Sequence, residues 1–140
     1  MAISQDAALL LTLSNLQTQL FKKVSGPLTA HGISFTEFIV LLHLNDSPAR
    51  NMRRIDLAEK IGLTASGVTR LLNPMQKIGL VEKEESVRDA RVSLIAITEA
   101  GTQLFNDAER TFNESAGHLL APLNAKHHRA FSEIAGALLS

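Results

Sequence analysis

A change of hydrophobic period at Gly79 constrains the fold more than any other feature of the sequence. Before Gly79, the stretch "ASGVTRLLNPMQKI" spaces its apolar residues three and four apart, which is typical of an amphipathic helix. After it, the runs "LVEKEES" and "RVSLIAIT" are rich in β-forming residues and are separated by the charged stretch "VRDA". We therefore predict a helix that leads directly into a two-stranded hairpin with a charged tip.

Two short helices joined at a glycine precede the hairpin. The stretch "RRIDLAEKIG" forms the first helix and ends at Gly62, and Thr64 is a suitable N-cap for the second. Ala58 lets the two helices approach closely, Gly62 can adopt a positive φ, and Val68 packs back on the first helix. We expect the small core between them to be filled by Leu57, Ile61, Leu63, Leu71 and Leu72. Together with the hairpin, this spacing predicts a winged helix-turn-helix.

Longer helices flank this unit on both sides. Residues 5–30 carry apolar side chains at helical spacing, and "SFTE" at residues 34–37 forms a capping box for a second helix. "TEAG" at Thr98 caps a fifth helix, and Pro122 separates it from a final one. The predicted fold is mainly α with a small β-hairpin wing, in which N- and C-terminal helices flank the winged helix-turn-helix. The predicted domains are residues 33–98 for the winged helix-turn-helix and residues 1–32 with 99–140 for the flanking helices.

The chain is electrically neutral, with 14 basic and 14 acidic residues, but its charge is unevenly distributed. Residues 50–91 contain nine basic and six acidic residues and carry +3, which is a usable footprint for nucleic acid. The absence of cysteine excludes disulfides, thiolate zinc sites and cysteine nucleophiles. Because we find neither a signal-peptide pattern nor a membrane-spanning run, we expect a soluble cytoplasmic protein without a membrane partner.

The stretch "DLAEKIGLTASGVTRLLNPMQKIGLVEKEESVRDARVSLIAITEAG", residues 56–101, resembles the MarR (multiple-antibiotic-resistance regulator) family of bacterial transcription factors. Its most specific part is the pair Asp89 and Arg91 at the wing, followed by "ITEAG". The resemblance implies a homodimer held together by the N- and C-terminal helices. It also implies binding to a short inverted repeat in operator DNA, as a repressor that a small molecule releases.

The first two turns of the helix after Thr64 are the predicted DNA-contacting surface, because a recognition helix presents its N-terminal turns to the major groove. The candidate contacts are Thr64, Ala65, Ser66, Gly67, Thr69 and Arg70. Arg70 suits bidentate contact with guanine, whereas Ser66 and Thr69 can bond bases or phosphates. Gly67 leaves room for close backbone approach. The alternative is that Thr64 and Ser66 merely cap the helix.

Pro74 lies inside this predicted recognition helix, where it removes one backbone hydrogen bond at a cost of ~3 kcal/mol. The pattern "LLNPMQKIGLV" also occurs in part of the family, so we predict a kinked, continuous helix rather than an early stop. We expect DNA contact before Pro74, while Met75, Ile78 and Leu80 anchor the helix end and the first wing strand in the core.

Arginines at the predicted wing are candidates for the minor groove, where the potential is negative. We expect Arg88 and Arg91 to enter it, and Asp89 to pair with Arg91 and hold it in position. An ordinary charged hairpin tip is the alternative. Basic residues that would meet phosphates before the first helix of the helix-turn-helix are Arg50, Arg53 and Arg54. A solvated charge run explains these three residues equally well.

The terminal helices carry more apolar residues than the DNA-binding unit could cover. A dimer interface is the simplest explanation, and packing of the first helix on the last within one chain is the alternative. Residues 1–32 and 99–140 are therefore the predicted dimerisation region, which supplies the dimerisation helices that flank the DNA-binding domain, residues 33–98. The family resemblance also implies a pocket for a lipophilic or phenolic effector between these helices and the winged domain. The candidate lining residues are Phe21, Phe38, Leu42 and Phe105.

Other classes of function find little support in the sequence. His127 and His128 point about 100° apart on a helix and cannot easily share an ion, so we predict no metal site and no other cofactor. We find no Gly-rich phosphate loop, paired catalytic carboxylates or nucleophile–histidine arrangement, and we predict that the protein is not an enzyme. A winged-helix protein-interaction module without specific DNA binding is the alternative function.

Overall fold

The computed structural model describes residues 2–140, which form six helices and three strands. The helices are α1 (Gln5–Thr29), α2 (Phe35–Asp46), α3 (Arg54–Ile61), α4 (Ala65–Lys77), α5 (Glu99–Leu119) and α6 (Ala125–Leu139). The strands are β1 (Asn51–Arg53), β2 (Val81–Glu85) and β3 (Ser93–Ile97). The predicted fold class is confirmed, since α3 and α4 form the helix-turn-helix and β2 and β3 form the wing.

Helix ends lie where the sequence places its capping residues. Ser34 Oγ accepts from the Glu37 amide at 3.1 Å, and Glu37 Oε1 accepts from the Ser34 amide at 2.8 Å, which completes the capping box. Thr64 and Thr98 each accept a hydrogen bond from the amide three residues on. Gly62 ends α3 with a φ of 71°, a conformation that favours glycine. These contacts form within a few residues of chain, so the sequence can predict them.

The sheet has three strands rather than the predicted two. β1 pairs antiparallel with β3, with Asn51 opposite Ala96 and Arg53 opposite Leu94, so the strand order is β1–β3–β2. Asn51 Nδ2 also donates to Glu84 Oε1 at 2.6 Å, which ties β1 to β2 across the central strand. The three residues of β1 are too few to show an alternating pattern. The strand therefore escapes detection from the sequence.

Helix α4 runs through Pro74 without interruption, which confirms the predicted continuity, while the predicted kink stays a prediction. Met75 and Leu80 are buried and anchor the helix end and the wing in the core. The expectation that Ile78 shares this role is wrong, because Ile78 follows the last helical residue and is 61% exposed. Leu63 is also wrongly placed in the core, because it lies in the turn between α3 and α4 and is 39% exposed.

One hydrophobic core joins the helix-turn-helix to α1, α2 and α5. Phe38 of α2 stacks on Phe105 of α5 with ring centroids 5.3 Å apart. Leu28 of α1 and Ala108 of α5 are fully buried in the same cluster. Of the residues predicted between α3 and α4, Leu57 and Leu72 are buried and Ile61 and Leu71 are half-buried. The C-terminal end of α1 and the N-terminal half of α5 thus share a core with the winged unit. The division into two domains stays a prediction.

Apolar side chains on α1 and α6 project into solvent. Within the described residues, α6 contributes no buried side chain, and Ile134 is 58% exposed. The accessible surface is 9829 Å², whereas a compact monomer of 15.2 kDa exposes about 7,100 Å². Among residues 2–140, no helix has both the length and the hydrophobicity needed to cross a bilayer. The terminal helices therefore leave an apolar surface that this chain alone does not cover.

The start of α5 fits closely against the backbone at the start of the wing. The Thr98 amide donates to the Leu80 carbonyl at 3.1 Å, and the Thr98 hydroxyl donates to the Gly79 carbonyl at 2.6 Å. A Cβ at Gly101 would lie far inside van der Waals contact with the Leu80 carbonyl oxygen and would also press on Ile97. The glycine of "TEAG" is thus required by the approach of two backbone segments.

We predict that Gly101→Ala lowers the free energy of unfolding by about 2–3 kcal/mol, because the added methyl group must displace backbone rather than a flexible side chain. Urea denaturation followed by circular dichroism measures the change. Gly117→Ala in the same helix is the matched control, since a Cβ there meets nothing within 4 Å. This control should raise stability by up to about 1 kcal/mol. Equal stabilities of the two variants would contradict the close fit.

Candidate nucleic-acid interface

Two hydroxyl groups lie together at the N-terminus of α4. Thr64 Oγ1 accepts from the Gly67 amide at 3.1 Å and lies 3.2 Å from Ser66 Oγ. A Cβ at Gly67 would lie 3.2 Å from Thr64 Oγ1, so this glycine gives room to the cap. Thr64 therefore does cap the helix, which was one of its two predicted roles. Ser66 remains exposed.

Polar residues on α4 lie opposite its buried face. Val68, Leu72 and Met75 are buried on the inner side. On the outer side, four exposed residues follow one another at helical spacing, and we call them the α4 stripe. They are Ser66, Arg70, Asn73 and Lys77. The sequence-based candidates missed the last two members of the stripe, although intervals of three and four from the first two would have identified them.

Ala65 and Thr69 lie on the flank of α4 that borders α3, beside the α4 stripe. The Thr69 hydroxyl donates to the Ala65 carbonyl at 3.1 Å. Its hydrogen is therefore used inside the helix, as is common for threonine in helices. The Thr69 hydroxyl can therefore only accept a hydrogen bond from a ligand. Of the predicted bonds to bases or phosphates, those in which Thr69 would donate are excluded.

The wing tip holds one arginine in position. The Asp89 carboxylate accepts from the Arg91 amide at 3.0 Å, from Arg91 Nε at 3.1 Å and from Arg91 Nη2 at 3.2 Å. These side-chain and backbone hydrogen bonds lower the pKa of Asp89. The predicted pairing is confirmed. Ser86 Oγ accepts from the Arg88 amide at 3.2 Å, while the exposed Arg88 side chain has no ion-pair partner among residues 2–140.

Arg53 occupies the N-cap position of α3 but caps nothing. Its side chain makes no hydrogen bond to the helix backbone. Its Nε and Nη2 instead donate to the two Asp56 carboxylate oxygens at 2.9 and 3.0 Å. This hydrogen bonding lowers the pKa of Asp56 and raises the pKa of Arg53. The neighbouring Arg54 is half-buried and has no ion-pair partner in the described part of the chain.

Arg50 makes hydrogen bonds within the protein, and the phosphate contact expected for it stays a prediction. Its Nη2 donates to Asn45 Oδ1 at 2.7 Å and to Thr102 Oγ1 at 3.0 Å, which joins the end of α2 to the start of α5. Its φ of 58° lies in the left-handed region, and its carbonyl accepts from the Ile97 amide at 3.1 Å. One nitrogen of the guanidinium is therefore used within the protein, while the residue stays exposed.

An aromatic cavity of about 350 Å³ lies between α1, α2, α5 and α6. Of the four predicted ligand-binding residues, Phe21 lines it, whereas Phe38 and Phe105 stack in the core behind it and Leu42 is half-buried. The other aromatic lining residues are Phe35, Phe112 and Phe131. Whether an aromatic side chain lines the cavity or packs in the core depends on its direction in the folded chain. Sequence spacing therefore did not distinguish the two groups of aromatic residues.

Two of the five histidines make side-chain hydrogen bonds to separate partners. His31 Nε2 lies 2.7 Å from Thr111 Oγ1, and His127 Nδ1 accepts from the Asn124 amide at 3.2 Å. Burial and the nearby charge of Lys60 lower the pKa of His43. Across residues 2–140, no three histidine or carboxylate side chains lie close enough together to hold a metal ion.

Known proteins resemble this chain over nearly all of its length. A family model described as MarR family matches residues 31–92, from the turn before α2 to the wing. An HTH-type transcriptional repressor of Mycobacterium tuberculosis is 27% identical over 134 residues, which cover 96% of this chain and 95% of the relative.

Solved structures share the fold. A MarR family transcriptional regulator of Streptomyces coelicolor in complex with DNA matches with a TM-score of 0.88 at 18% identity, covering 99% of this chain and 89% of that one. Mutant MarR of Escherichia coli complexed with operator DNA matches with a TM-score of 0.83 at 17% identity, covering 92% and 91%.

We predict that Arg53→Thr stabilises the protein, because threonine at an N-cap accepts a hydrogen bond from the helix backbone and an exposed ion pair contributes little. The expected rise in Tm is roughly 3 °C. Thermal unfolding followed by circular dichroism measures it. Arg54→Thr, one residue later and inside the helix, removes the same charge without adding a cap and should give no rise. A fall in Tm for Arg53→Thr would show that the ion pair outweighs the missing cap.

Proposed function

We propose that this chain is a MarR-family transcriptional regulator, a homodimeric repressor that binds an inverted-repeat operator and is released by a small molecule; the family model that matches residues 31–92 supports this assignment. The α4 stripe carries this proposal, since its four polar side chains are exposed on a helix whose opposite face is buried. A recognition helix presents such residues to base edges in the major groove.

Arg70 and Asn73 are the proposed base-contacting residues of the stripe. The Arg70 guanidinium has no ion-pair partner among residues 2–140, so its donors are available. Arginine bonds guanine O6 and N7 in a bidentate manner, and asparagine does the same with adenine N6 and N7. Ser66 at the start of the stripe is close enough to the helix N-terminus to contact a phosphate.

The wing arginines are proposed to contact the adjacent minor groove, which attracts arginine by its negative potential. Free Asp89 would repel phosphates, but its three hydrogen bonds from Arg91 offset that charge and orient the guanidinium. Arg53 and Arg54 then contribute phosphate contacts, which give affinity without sequence choice. A cationic residue at an N-cap position is unfavourable for the helix, and phosphate binding accounts for its presence there.

The homodimer is supported by the uncovered apolar surface of α1 and α6. A two-fold interface buries the same surface on both protomers and fixes the separation of two recognition helices. An inverted repeat in the operator would mirror that symmetry. The effector is assigned to the aromatic cavity, whose lining includes Phe21, Phe35 and Phe131. This cavity borders both the helices proposed for dimerisation and the core of the winged unit. An effector bound there could therefore change the position of the DNA-binding elements and release the protein from DNA.

We predict that Arg70→Ala and Arg91→Ala affect DNA binding differently. Arg70→Ala should reduce discrimination between the operator and a single-base-pair variant by about 10-fold or more, because a bidentate base contact is lost. Arg91→Ala should weaken binding to all duplexes to a similar extent and reduce the slope of log affinity against log salt by about 1. Duplexes selected by the full-length protein from a random library, followed by fluorescence anisotropy at several salt concentrations, measure both effects.

Arg110→Ala on the exposed surface of α5 is the matched control, since it removes the same charge away from α4 and the wing. It should bind like the wild type. Equal affinity of wild type, Arg70→Ala and Arg91→Ala for the operator would contradict the proposal. Binding that does not vary with salt would instead favour a protein-interaction module.

A second test concerns assembly, for which we predict that the wild-type protein has twice the chain mass of 15.2 kDa in solution. Ile134→Asp on α6 should shift it toward a monomer, because the carboxylate would be buried at the interface. Ile78→Asp is the matched control, since Ile78 is 61% exposed and Ile134 58%. Analytical ultracentrifugation measures the mass. A wild-type monomer that Ile134→Asp destabilises without a change of mass would show packing of the terminal helices within one chain.

A further inference from the structure

An open groove of about 560 Å³ runs between α3 and the flank of α4 that borders it. Its apolar walls are Ile55 on α3, Leu63 in the turn, and Ala65 with Thr69 on α4. Ile55 is 68% exposed and Leu63 is 39% exposed, so two branched aliphatic side chains face solvent in the most basic segment of the chain. Covering such a surface with an apolar group is favourable because water is released from it.

The groove offers an occupant few hydrogen-bond donors. The Thr69 hydroxyl donates to the Ala65 carbonyl at 3.1 Å, so its hydrogen is not available to a ligand. The charged residues at the border are Arg54 and Glu59. The Glu59 carboxylate repels a phosphate laid along the groove, whereas Arg54 attracts a phosphate beside it. The groove therefore suits an apolar group that lies next to a phosphate backbone.

The major groove of duplex DNA exposes such a group, the C5-methyl group of thymine. The groove adjoins the α4 stripe. If α4 lies in the major groove, the groove between α3 and α4 therefore lies over neighbouring bases of the DNA that the stripe contacts. We propose that the groove between α3 and α4 recognises thymine methyl groups, with Ile55, Leu63 and Thr69 as specificity-determining residues. This inference rests on the proposed DNA-binding function and adds a base preference to it.

Removal of single methyl groups from both partners tests this inference. A duplex selected by the full-length protein is prepared with each thymine replaced in turn by deoxyuridine, which lacks only the methyl group. At one or more positions in each half-site, the wild type should bind about three- to fivefold more weakly, the order expected for one buried methyl group. Thr69→Ser removes a methyl group and keeps the hydroxyl, and Ile55→Ser removes the exposed aliphatic wall. Both variants should bind thymine and deoxyuridine duplexes equally at that position.

Thr18→Ser on α1 is the matched control, because the Thr18 hydroxyl donates to the Ser14 carbonyl at 3.1 Å in the same helical manner. It should retain the full sensitivity to deoxyuridine. A selected duplex whose affinity no deoxyuridine substitution changes would overturn the thymine inference alone, and so would sensitivity that persists in both groove variants. Failure of the wild type to bind any duplex would overturn the proposed function as well.

Discussion

The close approach of α5 to the Leu80 carbonyl is the contact on which the rest of the structure depends. Thr98 bonds the carbonyls of Gly79 and Leu80, and Gly101 lets the first turn of α5 lie directly on that backbone. Because α4 ends and the wing begins at this point, the two proposed DNA-contacting elements and α5 are joined at one place. A displacement of α5 therefore has a direct physical route to both.

Arg50 provides a second connection to the same turn of α5. Its left-handed backbone is costly for a residue with a side chain, and two hydrogen bonds to Asn45 and Thr102 offset that cost. The winged unit is thus attached to α5 from both α2 and β2. The opposite situation holds for α6, where exposed apolar side chains lack a partner within the described chain. The winged unit and α5 are thus firmly joined, whereas the apolar side chains of α6 stay exposed to solvent.

Residues that are locally unfavourable for a helix lie together on one face of the protein. Arg53 stands where a capping residue would stabilise α3, and exposed Ile55 follows in its first turn. Arg54 and Ile55 border the groove beside the α4 stripe. Violations of local preference concentrate at sites where binding, rather than stability, selects the residue. Their position beside α4, the proposed recognition helix, supports the proposal that this face binds DNA.

The sequence by itself determined the features that form between near neighbours. The caps at Ser34, Thr64 and Thr98 and the pairing of Asp89 with Arg91 need only a few residues of chain, and the period change at Gly79 locates the wing. The sequence could also have identified all four residues of the α4 stripe, because helical spacing alone places Asn73 and Lys77 on it.

Only the tertiary structure decided the contacts between distant segments. It paired β1 with β3, engaged Arg50 between α2 and α5, and placed Phe38 and Phe105 in the core while Phe35 and Phe112 line the cavity. Hydrogen bonds within a turn depend on local backbone geometry, which residue types largely set. Contacts between elements depend on how whole faces pack, and that arrangement exists only once the core has formed.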